Sequence, residues 1–313
     1  MSLLVALPDR EMLDRLGTPP EGVELTVWAL GSEPVDRTFD LLVLPYMIAP
    51  TALAGLAGQA VSVVQSQMLG FDGVAANLPP GPVYCNAVGV HEAATAELAL
   101  ALILAGQRGL PDFVRAADSG EWAHRRYPGL TMQRVLVLGA GGVGGEVARR
   151  LVPFDVDLVR VARTARVDEL GSVHGWEELD ELLPTAHVVV LAVPLSDATR
   201  GLVDDAFLGR MRPDALLVNV ARGAVVDTDA LTRAVESRRV RAAVDVTDPE
   251  PLPPQHPLWR LPGALISPHV GGDIGSMNLR IDRLVGEQIE LLRTGQPPKN
   301  VVVGGRQQQA TDP

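Results

Sequence analysis

Short apolar, β-branched runs recur along this chain, and most are followed by a stretch with helical spacing. Near the N-terminus LLVAL (3–7), LTVWAL (25–30), LLVLP (41–45) and VSVVQ (61–65) read as strands, and their alternation with helical segments predicts a small parallel α/β domain. From His91 to Arg108 apolar residues fall on every side of a helical pattern, which predicts a helix buried between domains or subunits. A further helical piece precedes Trp122. A second series begins near Arg134, with VLVLG (135–139), DLVRVA (157–162), HVVVLAVP (187–194), ALLVNVA (215–221), RAAVDV (241–246) and ALISP (264–268). Helical segments separate these runs, so six strands with crossovers predict one complete doubly wound sheet. A last helix, about Asn278 to Leu292, is expected to return to the first domain. The fold class is therefore α/β, with two doubly wound parallel-sheet domains, one inserted in the other. The expected division is 1–99 with 276–303 for the outer domain, 100–275 for the inserted one, and a disordered tail over 304–313.

A length of 313 residues and 47% hydrophobic content suit two domains with real cores. No apolar run reaches the length of about 20 residues that a membrane span needs, and the N-terminus lacks the basic flank of a signal peptide. A single cysteine, Cys85, cannot form an internal disulfide, which suits a reducing cytoplasm. The formal charge of −11 disfavours nucleic acid and requires a local positive site for any anionic substrate. The chain has one lysine, Lys299, so Schiff-base chemistry and a Walker loop are disfavoured, and its positive charge is almost all arginine. No spacing suggests a metal site.

Gly139, Gly141 and Gly144 form a G-x-G-x-x-G between a strand and a helix. The first permits a tight turn, the second lets backbone approach a pyrophosphate, and the third lets helix pack on strand. The next strand selects the cofactor. A carboxylate is expected at its end where NAD binds, and that position aligns with Ala162, followed by Arg163, Thr164 and Arg166. Guanidinium groups in place of an acid favour NADP(H) over NAD(H).

Three residues then stand at or just past later strand ends. Arg222 in VNVARGAVVD can bind a carboxylate bidentately and polarise the adjacent carbonyl. His269 in SPHVGG can exchange a proton with a developing alkoxide. Glu250 in DVTDPEPLP can raise the pKa of an imidazole and fix its tautomer. The other five histidines, His91 and His124 among them, lack such a setting. Together the three point to hydride transfer at a carbonyl next to a carboxylate.

These stretches, with VSVVQSQMLGFDGV (61–74), TAELALALILA (95–105), VLGAGGVGGEVARRL (137–151) and VPLSDATRGL (193–202), resemble the D-isomer-specific 2-hydroxyacid dehydrogenase family over nearly the whole chain. The resemblance implies two Rossmann-like domains, with Arg222 as anchor, His269 as acid/base and Glu250 as its partner. It implies cofactor contacts from Gly142, Val143, Val193, Pro194, Thr199, Val220, Ala221, Asp245 and Gly271, and substrate contacts from backbone N–H groups at Leu69 and Gly70. It further implies a D-hydroxy acid product, a homodimer through the cofactor domain, and an interdomain cleft that closes on the cofactor. Formate dehydrogenases of this superfamily carry glutamine where Glu250 stands, and phosphite dehydrogenases a lysine near position 69, unlike this chain. The acid-free cofactor turn matches NADPH-preferring glyoxylate, hydroxypyruvate and hydroxyphenylpyruvate reductases. A nucleotide-sensing binding protein and an NAD-linked oxidation of a hydroxy acid remain alternatives. Tyr46, Met47, Leu69, Trp122 and Trp259 are candidates for the substrate pocket, or for core or interface packing.

Overall fold

The computed structural model describes residues 2–304; the tail expected over 304–313 lies, beyond Gly304, outside the described residues. The chain divides into two compact units, one made of the N-terminal segment to His91 and the C-terminal segment from Gly275, the other of Glu92–Ile274.

In the first unit the apolar runs form β1 (Leu3–Leu7), β2 (Val23–Val27), β3 (Phe39–Val43), β4 (Val61–Gln65) and β5 (Val83–Cys85). Helices α1 (Arg10–Leu16) and α2 (Val74–Asn77) fall between them.

The second unit opens with α3 (Glu92–Arg108) and α4 (Leu110–Asp118). It continues through β6 (Arg134–Leu138), α5 (Gly142–Leu151), β7 (Asp157–Val161), β8 (Arg166–Asp168), β9 (Gly171–Val173) and α6 (Leu179–Leu182). It ends with β10 (Val188–Leu191), α7 (Asp205–Arg210), β11 (Ala215–Asn219), α8 (Thr228–Glu236), β12 (Val240–Val244) and β13 (Ala264–Ile266). The chain then returns to the first unit as α9 (Met277–Arg293) and β14 (Val301–Val303).

The first sheet runs β14-β5-β4-β3-β1-β2, parallel except for β14, which lies antiparallel on β5. The second runs β13-β12-β11-β10-β6-β7 and is parallel throughout. Each sheet carries a separate apolar core on either face. In the second, Leu136, Leu138, Val189 and Leu217 point to one core and Val135, Val137, Val188 and Leu216 to the other. A strand buried on both faces has no polar positions to alternate, which is why these segments read as continuous apolar runs. In both sheets the chain reverses direction beside its first strand, between β1 and β3 and between β6 and β10, the crevice where open α/β sheets bind ligands.

The division falls at 91/92 and 274/275 rather than at 99/100 and 275/276. Helix α3 is one continuous element, and it packs along its length on α5, β11 and β12 of the second unit, burying Ala96, Ala99, Leu102 and Ile103. A cut at residue 99 would have split that helix. The last helix does return to the first unit, where α9 packs on α1, β1 and β3. Among the described residues no helix is long and apolar enough to cross a membrane, and no group of His, Cys, Asp and Glu is arranged to hold a metal ion. Cys85 is buried, and burial pushes its thiol up to about 11.

Candidate active site

The glycine turn follows β6. A Cβ on Gly144 would lie 1.8 Å from the carbonyl oxygen of Gly139, so only glycine lets α5 pack this close to the strand. Helix α5 starts at Gly142 behind Gly141, which offers no side-chain cap, and a Cβ added at Gly141 would meet nothing. A helix whose N-cap residue has no side chain can offer first-turn N–H groups to a pyrophosphate on the open Gly141 side, while Glu92 stands against Gly142, where a Cβ would lie 2.9 Å from its Cγ. Val143 begins the same turn of helix, half-buried.

Beside it, the segment from Ala162 to Arg166 links β7 to β8. Arg163 and Thr164 are exposed, and the Arg166 guanidinium donates to the Ala140 carbonyl at 3.0 Å, so Arg166 lies against the glycine turn. Across β10, Val193 is buried and Pro194 exposed. The Thr199 hydroxyl donates to the Pro194 carbonyl (2.7 Å) and accepts from Ser196 N–H (2.8 Å), closing that loop. Val220 and Ala221 are buried just past β11.

Arg222 is half-buried and donates to the Ala221 carbonyl at 2.7 Å. Buried Asn219 at the end of β11 shapes this corner, because its side chain donates to the Arg222 carbonyl (3.0 Å) and accepts from Ala221 N–H (3.0 Å). Gly223 then passes so near the next strand's loop that a Cβ would sit 1.9 Å from the Thr247 carbonyl oxygen. That approach brings the Arg222 corner beside the loop carrying Glu250.

Glu250 and His269 meet directly, His269 Nδ1 bonding to Glu250 Oε1. The hydrogen bond to Glu250 holds the imidazole above its ordinary value of 6.5; the charges of Glu250 and Asp245 add to this, while burial and Arg222 oppose it. Burial pushes the Glu250 carboxyl up, but the bond and charge of His269, the Thr247 N–H and Arg222 together hold it below its ordinary value. The pair is thus biased toward imidazolium and carboxylate.

His269 has φ of +53°, an uncommon conformation for a residue with a side chain. Asp245, 3% exposed, holds it there. Its carbonyl accepts His269 N–H (2.8 Å), and its carboxylate accepts Ser267 Oγ–H (2.6 Å), Val270 N–H (3.0 Å) and Gly271 N–H (2.9 Å). Asp245 was singled out from the sequence by resemblance alone, and its bracketing of the histidine turn was not. Asn219 and Ser267 were missed as well. Their signal is a polar residue ending a run that is otherwise apolar, as in LLVN and ALIS.

In the first unit, the Leu69 carbonyl accepts from Asn86 Nδ2 at 2.8 Å, and Met68 N–H bonds Ser66 Oγ at 3.0 Å, so the loop leading to half-buried Gly70 is fixed. Tyr46 stacks on His91. Trp122 is 95% exposed and Met47 and Trp259 are also exposed, which removes core packing as their role.

The D-isomer specific 2-hydroxyacid dehydrogenase NAD-binding domain matches residues 100–271. Glyoxylate reductase of Aeropyrum pernix is 31% identical over 255 residues, covering 77% of this chain and 76% of that protein. Human glyoxylate reductase/hydroxypyruvate reductase is 37% identical over 186 residues, 56% of each chain, so this chain spans little more than half of it. The D-isomer specific 2-hydroxyacid dehydrogenase of Xanthobacter autotrophicus Py2, solved in complex with NADPH and MES, superposes with a TM-score of 0.80 at 26% identity, covering 97% of this chain and 98% of that one. The chain belongs to the D-isomer specific 2-hydroxyacid dehydrogenase family and is an oxidoreductase.

Proposed function

We propose that the chain reduces a small 2-oxo acid to the D-2-hydroxy acid with NADPH. The observation that carries this reading is the hydrogen-bonded His269–Glu250 pair in the same unit as the Arg222 corner and an uncapped glycine turn. When bound, the nicotinamide supplies the hydride. Arg222 binds the substrate carboxylate and helps bear the charge developing on the carbonyl oxygen. With Nδ1 held by Glu250, His269 presents Nε2 to that oxygen and delivers the proton that completes the hydroxyl group. Glu250 keeps His269 charged near neutral pH and fixes the ring's orientation. In the first unit, the loop at Leu69 and Gly70, ordered by the bonds from Asn86 and to Ser66, offers backbone N–H groups of the kind that bind a carboxylate.

The turn after β7 supports NADPH over NADH. No acid stands at Ala162, Arg163 is exposed, and Arg166 lies against the glycine turn, which together make a site for a 2′-phosphate. Around the cofactor, Gly139, Gly141, Gly142, Val143 and Gly144 serve the pyrophosphate, and Val193, Pro194, Thr199, Val220, Ala221, Asp245 and Gly271 line the rest. We further propose a homodimer through the second unit. Helix α4 buries none of its residues in its own chain, and Leu110, Val114 and the nearby Trp122 are exposed apolar groups. A cytoplasmic location and no nucleic-acid partner accord with the lone buried thiol and the acidic charge.

The test is loss of absorbance at 340 nm with NADPH or NADH against glyoxylate, hydroxypyruvate and phenylpyruvate. Turnover with NADPH on one of them supports the reading. Tight NADPH binding without turnover on any 2-oxo acid supports a sensor instead.

A further inference from the structure

The segment after the cofactor turn carries three arginines, Arg160, Arg163 and Arg166, but also Asp168 and Glu169. Two carboxylates beside a proposed 2′-phosphate site would work against it, and the structure shows where they go. Arg160 in β7 is only 3% exposed, and both its terminal nitrogens bond Asp168, one to each carboxylate oxygen at 2.8 Å. The same guanidinium donates to the carbonyls of Gly171 (2.8 Å) and Ser172 (3.3 Å) on the return strand of the β8–β9 hairpin. Asp168 also accepts Leu170 N–H at 2.8 Å. The bond to Arg160, then that N–H, hold its carboxyl below its ordinary range, so it stays ionised and engaged. Glu169 is paired with Arg149 of α5. Above the clamp, Ala162 and His174 exchange backbone bonds with their neighbours across β7, Ala162 N–H to His174 O at 3.0 Å and His174 N–H to Arg160 O at 2.8 Å.

We propose that Arg160 is a positioning residue for cofactor choice. Its bidentate bond withholds Asp168 from the ribose and pins the hairpin, so that Arg163, Thr164 and Arg166 are left as the groups facing the 2′-phosphate. A buried guanidinium with four acceptors is costly to place and has no reason to sit in a strand core for stability alone, since an apolar residue there would serve as well. Its partner, by contrast, is the first carboxylate after the turn in the sequence. Freed, that carboxylate would repel a 2′-phosphate and accept hydrogen bonds from a 2′-hydroxyl. The proposal rests on the NADPH reading above.

The experiment compares dissociation constants for NADPH and NADH, by cofactor fluorescence, in the wild type, Arg160→Leu, Asp168→Asn and Arg163→Ala. Arg160→Leu is expected to lower the preference for NADPH by about tenfold or more, with NADH affinity held or improved. Asp168→Asn keeps the shape of the clamp and removes the charge, and is expected to keep the preference. Equal affinities in the wild type overturn the NADPH reading and this role with it. A wild-type preference that Arg163→Ala weakens but Arg160→Leu leaves intact overturns this role alone. So does a preference lost equally in Arg160→Leu and Asp168→Asn, which would make the clamp structural. If Arg160→Leu does not fold, loss of preference in Asp168→Asn overturns the role and its retention supports it.

Discussion

The two units present the same switch point and opposite chemistry. In the first, β1 leads through Pro8 to Asp9, whose carboxylate accepts Met12 N–H at 2.8 Å and caps α1. In the second, β6 leads through Gly139 and Ala140 to Gly141, and α5 begins with no side-chain cap. Where the first helix is capped by its own N-cap carboxylate, the second has a glycine there and only the side chain of Glu92 beside Gly142. The remaining strand ends diverge in the same direction. The His269–Glu250 pair and the Arg222 corner all belong to the second sheet. One architecture, folded twice, becomes a site only where the turn residues make it so.

The largest break in this comparison is expected at the proposed proton donor. His269→Ala is expected to lower turnover by about 10² or more while NADPH still binds, as read by steady-state rates beside a fluorescence titration. Full activity would remove the second sheet's strand ends from the chemistry. A smaller effect is expected at the cofactor turn, where Arg163→Ala should raise KM for NADPH by about tenfold and leave KM for NADH nearly unchanged. Equal effects would mean that Arg163 does not touch the 2′-phosphate.

The most delicate change concerns pH. In the proposed mechanism reduction needs His269 protonated, and its pKa is raised, chiefly by the bond to Glu250. Activity should therefore persist above pH 6.5, the ordinary value, and fall as pH rises through the raised one. In Glu250→Gln the carboxylate charge is gone, so the falling limb of kcat/KM should move to lower pH. A limb that does not move would show that Glu250 does not set the charge of His269.

Much of this architecture was legible because buried parallel strands announce themselves. All six strands of the second sheet lie within the apolar runs that foretold them or begin a residue before. What escaped was short, polar or remote. The β8–β9 hairpin, RVD and GSV, has no apolar run to announce it, and its bonds to Arg160 come from a residue in the preceding strand. Strand β2 starts at Val23 and stops at Val27, earlier than expected, because Trp28 and Leu30 join the core from beyond the strand end. The edge strand β14 is a three-residue run whose partner, β5, lies far back in the sequence. At the site, residue type and position after a strand singled out Arg222, Glu250 and His269, and the structure brings the last two into contact. The left-handed turn at His269 and the Asp245 bracket beneath it are tertiary facts with no local pattern to reveal them.

The contrast between the two helix ends is tested most directly by giving the second unit the first unit's cap. Gly141 has an ordinary φ of −88°, and a side chain there meets nothing, so Gly141→Asp should fold as well as the wild type. Isothermal titration with NADPH should show one site per chain in the wild type, and an affinity about a hundredfold weaker in the variant, whose own carboxylate occupies the helix end. Unchanged affinity in a folded Gly141→Asp protein would contradict the account, because the cofactor would then bind somewhere other than the open end of α5.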